Sequence, residues 1–154
     1  MEVNYLVATE KDIEFIAEVY QENIEALHGV PRTYEVWKEL FSDKSSIYYI
    51  VYTQAPAAWF RVDFSEDVLW LGMLQVKPKN QRKGIGRYIL SVAEKLAKEK
   101  GLSKIGIHTT QDNVAAQGLY LSEGYLLTEI GPCTTADGQE RIGYTFQKEL
   151  QDRF

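Results

Sequence analysis

Between Gln81 and Arg87 the chain reads Gln-Arg-Lys-Gly-Ile-Gly-Arg, two glycines set among three cations just after a long apolar run that begins at Leu69. Glycines at 84 and 86 let the backbone bend tightly, so that consecutive N–H groups can point at one oxyanion. A helix opening there leaves its first N–H groups without carbonyl partners. Its dipole and the charges of Arg82, Lys83 and Arg87 favour negative charge, by about 0.3–1 kcal/mol each. The chemistry these residues suit is phosphate binding. The spacing is not that of a P-loop, which needs Lys followed by Ser or Thr. The stretch from Gly84, Gly-Ile-Gly-Arg-Tyr-Ile, also lacks the third glycine of a dinucleotide fingerprint.

The elements that must position this turn follow from periodicity. Leu69 to Val76 is a strand that breaks at Lys77-Pro78. Ile85, Ile89, Val92 and Leu96 mark one face of a helix that ends at Gly101. Lys104 to Thr109 is the next strand. Thr110 or Asp112 caps a further helix, with Ala116, Leu119 and Tyr120 on one face and Gly124 at its end. Strands from Tyr125 and from Arg141 close the chain around an Ala136-Asp137-Gly138 turn, with Ile142, Tyr144, Phe146 and Lys148 predicted on the buried face. Upstream, Val3 to Ala8 reads as a strand, and Thr9-x-x-Asp12 as a capping box opening a helix that runs through Leu27 until Gly29 stops it. A short helix capped near Thr33 packs Val36, Trp37, Leu40 and Phe41. A meander follows, with strands from Ile47, Ala58 and Val68.

The 154 residues, 45% hydrophobic and 12% aromatic, suffice for one sizeable core. A single domain over residues 1–150 is expected, with 151–154 a short tail. No apolar stretch approaches the roughly 18–20 residues of a membrane span, and the first residues carry no signal pattern. Cys133 stands alone, which excludes an internal disulfide and suits a reducing compartment, the cytoplasm by default. A net charge of −5 argues against nucleic acid and favours cationic substrates.

The turn resembles the Q/R-x-x-G-x-G signature of the GNAT superfamily of acyl-CoA-dependent N-acyltransferases, through Gln81, Gly84 and Gly86. The stretch from Asn113 through Ala116, Leu119, Tyr120 and Gly124 to Tyr125 is similar to that family's N-x-x-A-x-x-L-Y-x-x-x-G-F/Y pattern. The predicted element order, β-α-α-β-β-β-α-β-α-β-β, is also the family's. The resemblance implies an α/β (α+β) fold with a mixed central sheet of about seven strands flanked by about four helices, splayed between the fourth and fifth strands. It implies acetyl-CoA as co-substrate, against Leu74, Gln75, Val76, Gln81, Arg82, Lys83, Gly84, Ile85, Gly86, Arg87, Asn113 and Tyr120. It implies an amine acceptor, with Glu25 and His28 on the variable acceptor wall. No metal, nucleic acid or membrane partner is expected, and a homodimer is left open.

The reaction that this implies makes specific demands. A lysine-like ammonium, pKa about 10.4, must lose a proton before it attacks a thioester, which at pH 7 costs roughly 4–5 kcal/mol. By resemblance a backbone N–H near Leu74 faces the carbonyl oxygen, and Tyr120 protonates the departing thiolate. Several relatives carry a glutamate base in the central strand, where this chain has Trp70. Glu66 and Asp67 cannot replace it, because the strand from Asp67 to Leu74 spans about 23 Å. Other relatives carry their base twelve residues before the motif tyrosine, a position that here is His108. An imidazole, with an unperturbed pKa near 6.5, suits the task, and His28 is the next candidate. Each residue also has a plain structural reading: Tyr120 as a core aromatic, His108 as a packing histidine, Asn113 as a helix start, Glu22 and Glu25 as a solvated face. The acceptor is read as a small primary amine. The alternatives are a protein or peptide amine, or a non-catalytic acyl-CoA-binding or sensing module.

Overall fold

The computed structural model describes residues 2–150. Strands β1 (Asn4–Val7), β2 (Ser46–Tyr52), β3 (Pro56–Ser65), β4 (Val68–Val76), β5 (Lys104–Thr110), β6 (Leu126–Thr134) and β7 (Glu140–Glu149) form one sheet in the order β1-β2-β3-β4-β5-β7-β6. Every neighbouring pair is antiparallel except β4 and β5, which run parallel through the crossover helix α4 (Ile85–Glu99). The other helices are α1 (Ile13–Glu22), α2 (Ile24–Leu27), α3 (Tyr34–Ser42) and α5 (Val114–Ser122). Residues 151–154, read as a tail, lie outside the described residues.

Alternation along β2 and β3 divides the interior into two cores. Tyr49, Val51, Phe60 and Val62 face Ile85, Ile89 and Leu90 of α4. Tyr48, Ile50 and Trp59 face Ile13, Ile16 and Tyr20 of α1 and Trp37 of α3. With both faces covered, β2 reads as an apolar run from Ile47 to Tyr52 and β3 as one from Ala57 to Phe60. In the second core Trp37 meets Tyr20 and Trp59 edge-on at 5.1 and 5.9 Å. Such pairs contribute about 0.5–1.5 kcal/mol each beyond buried area.

Beyond that core, the chain departs from its sequence reading at the ends of elements. The first helix does not run unbroken to Leu27: a 3₁₀ turn at Glu10–Asp12 precedes α1, and Asn23 interrupts the helix before α2. The cause is a side chain drawn away, since Asn23 Nδ2 donates to Gln75 Oε1 and to the Val76 carbonyl, both at 3.0 Å. The left-handed residue that ends α2 is His28, at φ 53°, and not Gly29. Asn113 caps α5 by accepting from the Ala116 N–H at 3.3 Å, in place of Thr110 or Asp112. Of the apolar set on β7, Phe146 is buried but Ile142 is 38% exposed, because β6 beside it is the sheet edge and is solvated along its length. Thr33 caps α3 and Gly101 takes φ 74° after α4, as expected.

The parallel ladder between β4 and β5 covers only Val68 to Leu71 against Lys104 to Ile107. Beyond it both strands continue and separate. The β3–β4 register shifts at this point, leaving Gly72 as an extra residue under the Arg61 guanidinium. A bulge bends the strand that carries it.

Candidate functional site

The gap between the two strands opens into a cavity of about 450 Å³. Leu74 and Gln75 of β4, His108 and Thr109 of β5, Asn113 and Tyr120 of the α5 segment, and Thr145 of β7 all line it. One edge of this space is backbone. The Lys77 N–H donates to the Ala57 carbonyl at 2.9 Å, so alternation along the antiparallel pair bonds Gln75 to β3 and turns the Leu74 N–H toward the gap. No β5 partner reaches it there, since pairing stops at Leu71.

Tyr120 is 6% exposed, with its ring 5.6 Å from Phe146 and 6.2 Å from Tyr125. Its hydroxyl has no hydrogen-bond partner among the described residues, and burial pushes the phenol well above the ordinary tyrosine range. It therefore stays protonated, a donor directed at whatever occupies the cavity. His108, on β5, is turned to the sheet face away from the α4 core that holds Tyr120. Its ring stacks on Trp70 with centroids 4.7 Å apart and planes 9° apart, and Nδ1 lies 2.9 Å from Thr145 Oγ1. Trp70 in turn covers Gly106, where a Cβ would run into the indole. If the Thr145 hydroxyl accepts from Nδ1–H, Nε2 keeps its lone pair.

At the far end of β4, Arg82 at φ 62° and Gly84 at φ 85° bend the chain into α4. Tyr88 is the first residue of the helix to bond back, to the Gly84 carbonyl at 3.0 Å. That leaves the N–H groups of Ile85, Gly86 and Arg87 as the orphan donors of a fifteen-residue helix. A Cβ on Gly84 would meet nothing within 4 Å, so the space beside the turn is open. Arg82 and Lys83 are exposed. Arg87 is drawn sideways, Nε to Glu123 at 2.8 Å. Gln81 folds back, Nε2 donating to the Val76 carbonyl at 3.1 Å, and holds the loop against the strand end.

A family model for acetyltransferases of the GNAT type matches residues 13–125. The chain belongs to this family. Its fold is similar to the ribosomal-protein-S18-alanine N-acetyltransferase from Escherichia coli (18% identity over 99% of this chain and 97% of that one, TM-score 0.80). It is also similar to a structure described as a putative phosphinothricin N-acetyltransferase (20% identity, 98% and 100% covered, TM-score 0.84). A third likeness is to yncA from Salmonella typhimurium, solved with its cofactor acetyl-CoA (18% identity, 98% and 95% covered, TM-score 0.76). No curated protein matches the chain in sequence.

In this GNAT chain the residues expected on the acceptor wall are placed apart from the cavity. Glu25 is exposed on α2, and it is Ala26 and Leu27 that line the space. His28 points to Asp112, Nε2 to Oδ2 at 2.7 Å, and its carbonyl accepts from the Asp137 N–H at 3.1 Å. The loop at His28 is thus tied to the segments that carry Asp112 and Asp137. The Asp112 carboxyl is held below its usual range, first by the Thr110 hydroxyl and then by His28. Asp67 bonds Ser103 at the opposite end of β4. Sequence reasoning missed Glu129 and Thr145, both lining the cavity. They pair across β6 and β7 only because the register shifts between Leu127 and Glu129, which no local motif announces. Among the described residues no helix is long and apolar enough to cross a membrane.

Proposed function

We propose that this GNAT acetyltransferase moves an acetyl group from acetyl-CoA to a primary amine of a small molecule by direct attack in a ternary complex. The observation that carries the reading is the parting of β4 from β5 beyond Leu71, which brings Leu74, His108 and Tyr120 around one cavity and leads to the open turn at Gly84. The residues fit the coenzyme. The N–H groups of Ile85, Gly86 and Arg87, with Arg82 and Lys83 nearby, suit its pyrophosphate, and the β4 edge suits its amide-bearing arm. The coenzyme supplies the activated acyl group. His108 takes the ammonium proton through Nε2, directly or through one water. The Leu74 N–H faces the carbonyl oxygen as charge develops on it.

Tyr120 donates to the departing sulfur. A coenzyme thiol resembling cysteine has a pKa of about 8.5, below that of the buried phenol, so complete transfer is uphill and the hydrogen bond itself is the stabilising element. The cavity volume lies in the range of small-ligand sites, roughly 300–1,000 Å³, which supports a small acceptor. The single cysteine suits a reducing compartment such as the cytoplasm. The test is an acceptor screen with detection of released thiol. Release that requires both acetyl-CoA and a primary amine is the expected result; stabilisation by the coenzyme with no release for any amine would make the chain a binding module.

A further inference from the structure

Gln75 is the one polar side chain in the buried interior among the described residues, at 5% exposure, and it lines the cavity. Its orientation is fixed by a chain of unambiguous partners. The Val76 carbonyl can only accept, so the Asn23 atom 3.0 Å from it is the amide nitrogen; that nitrogen also lies 3.0 Å from Gln75, whose atom there must be Oε1. Gln75 Nε2 is therefore turned away from Asn23, and nothing accepts from it among the described residues. The residue is buried but lines the cavity, so this donor, without a protein acceptor, is open to a ligand oxygen there.

The side of the sheet identifies the ligand. Leu74 and Val76 pack toward the α4 core, whereas Met73 packs toward the α1 core, so alternation puts Gln75 on the α1 face. On β5 Ile105 and Ile107 belong to the α4 core, which puts His108 on the same α1 face as Gln75. The face that carries the proposed base thus also carries a single oriented N–H donor, which can pair with a carbonyl or carboxylate oxygen and cannot pair with an ammonium.

We infer that Gln75 is a specificity-determining residue, donating through Nε2 to an oxygen on the carbon next to the amine, so that the acceptor is a 2-amino carbonyl compound. The inference rests on the acyltransferase reading above and names its substrate class. The acid–base chemistry agrees. An α-amino group beside an amide carbonyl, pKa 7.7–8.0, is about one part in ten neutral at pH 7, against about one part in a few thousand for a lysine-like amine. An imidazole base is adequate for the first.

The experiment compares leucinamide with 3-methylbutylamine, which differ only by the carboxamide, in the wild type, Gln75→Met and Gln75→Glu. Glu keeps the acceptor for Asn23 and removes the donor, and so gives a reading even if Met disturbs packing. Because the two amines differ in basicity, the readout is the change in their kcat/KM ratio on substitution. The ratio is expected to fall about 3–10-fold in both variants, through the acceptor KM, with the KM for acetyl-CoA unchanged because, in this reading, the Gln75 side chain on the α1 face serves the acceptor and not the coenzyme, contrary to the coenzyme contact the resemblance implied. Calorimetric binding of the same two amines to the coenzyme A complex should lose the same selectivity. An unchanged ratio alongside thiol release overturns this inference and leaves the acyltransferase reading standing. Selectivity that Gln75→Met abolishes, with no thiol release, overturns the acyltransferase reading alone. Leucine and leucylglycine as further acceptors separate a free amino acid from a peptide terminus, and turnover of either supports the inference.

Discussion

At the scale of residues, the proposed mechanism divides the proton work between Tyr120 and His108, and their surroundings say how each would fail. Tyr120 is packed against Phe146 and Tyr125, so Tyr120→Phe keeps the apolar ring and removes one donor. The expected result is an unchanged fold and coenzyme affinity with kcat lowered about 10²-fold, the low end of acid–base contributions, because proton transfer from a buried phenol to a thiolate is uphill. Wild-type turnover in this variant, measured by thiol release, would leave Tyr120 a packing residue. His108 is held by Trp70 and Thr145, and glutamine at that position can still reach the Thr145 hydroxyl. In the wild type kcat/KM should rise with pH, because the base must be neutral to take the ammonium proton. His108→Gln should flatten that limb while acetyl-CoA binding is retained; a variant that keeps both rate and limb would move the base elsewhere.

At the scale of elements, the fold was legible wherever a local signal decided it. The β4–turn–α4 unit, the Thr33 cap and the Gly101 stop each rest on residues within one turn of one another. The break at Asn23 and the Glu129–Thr145 pairing rest instead on partners far away in sequence, and no period or cap encodes them. The β6–β7 hairpin shows both kinds. Its Ala136-Asp137-Gly138 turn was readable, but its tie to His28 was not. Asp137 accepts from the Thr135 hydroxyl and the Gln139 N–H and pairs with Arg141 at 3.0 Å. These partners, the Thr135 hydroxyl first, hold its carboxyl down at about 2 against an ordinary 3.8. A depressed folded pKa contributes stability above about pH 4 that is lost as pH falls through 2. Asp137→Asn should therefore melt at a lower temperature than wild type at pH 5, and the difference should shrink toward pH 2. A constant difference over that range would mean that the carboxylate charge is not what holds the turn.

At the scale of the whole molecule, two cores on opposite faces of one sheet leave the sheet itself to part, and the site exists only where they fail to meet across β4 and β5. The motifs announced the turn and α5 beside that gap, since both are local. The rest of the cavity wall was opaque, because Ala26, Leu27, Glu129 and Thr145 arrive from three separate segments. A ligand that bridges the gap binds only the folded chain, so acetyl-CoA at a hundred times its dissociation constant should add about 2.7 kcal/mol of stability. For a chain of this size that is a rise of about 5–10 °C in Tm. Gly84→Asp tests whether the turn is the source. Its φ of 85° disfavours any L side chain, and the new carboxylate would enter the open space beside the orphan N–H groups. The variant should melt somewhat lower without ligand and should lose the acetyl-CoA-dependent rise. A folded Gly84→Asp protein that keeps the full rise would place the coenzyme phosphates away from α4.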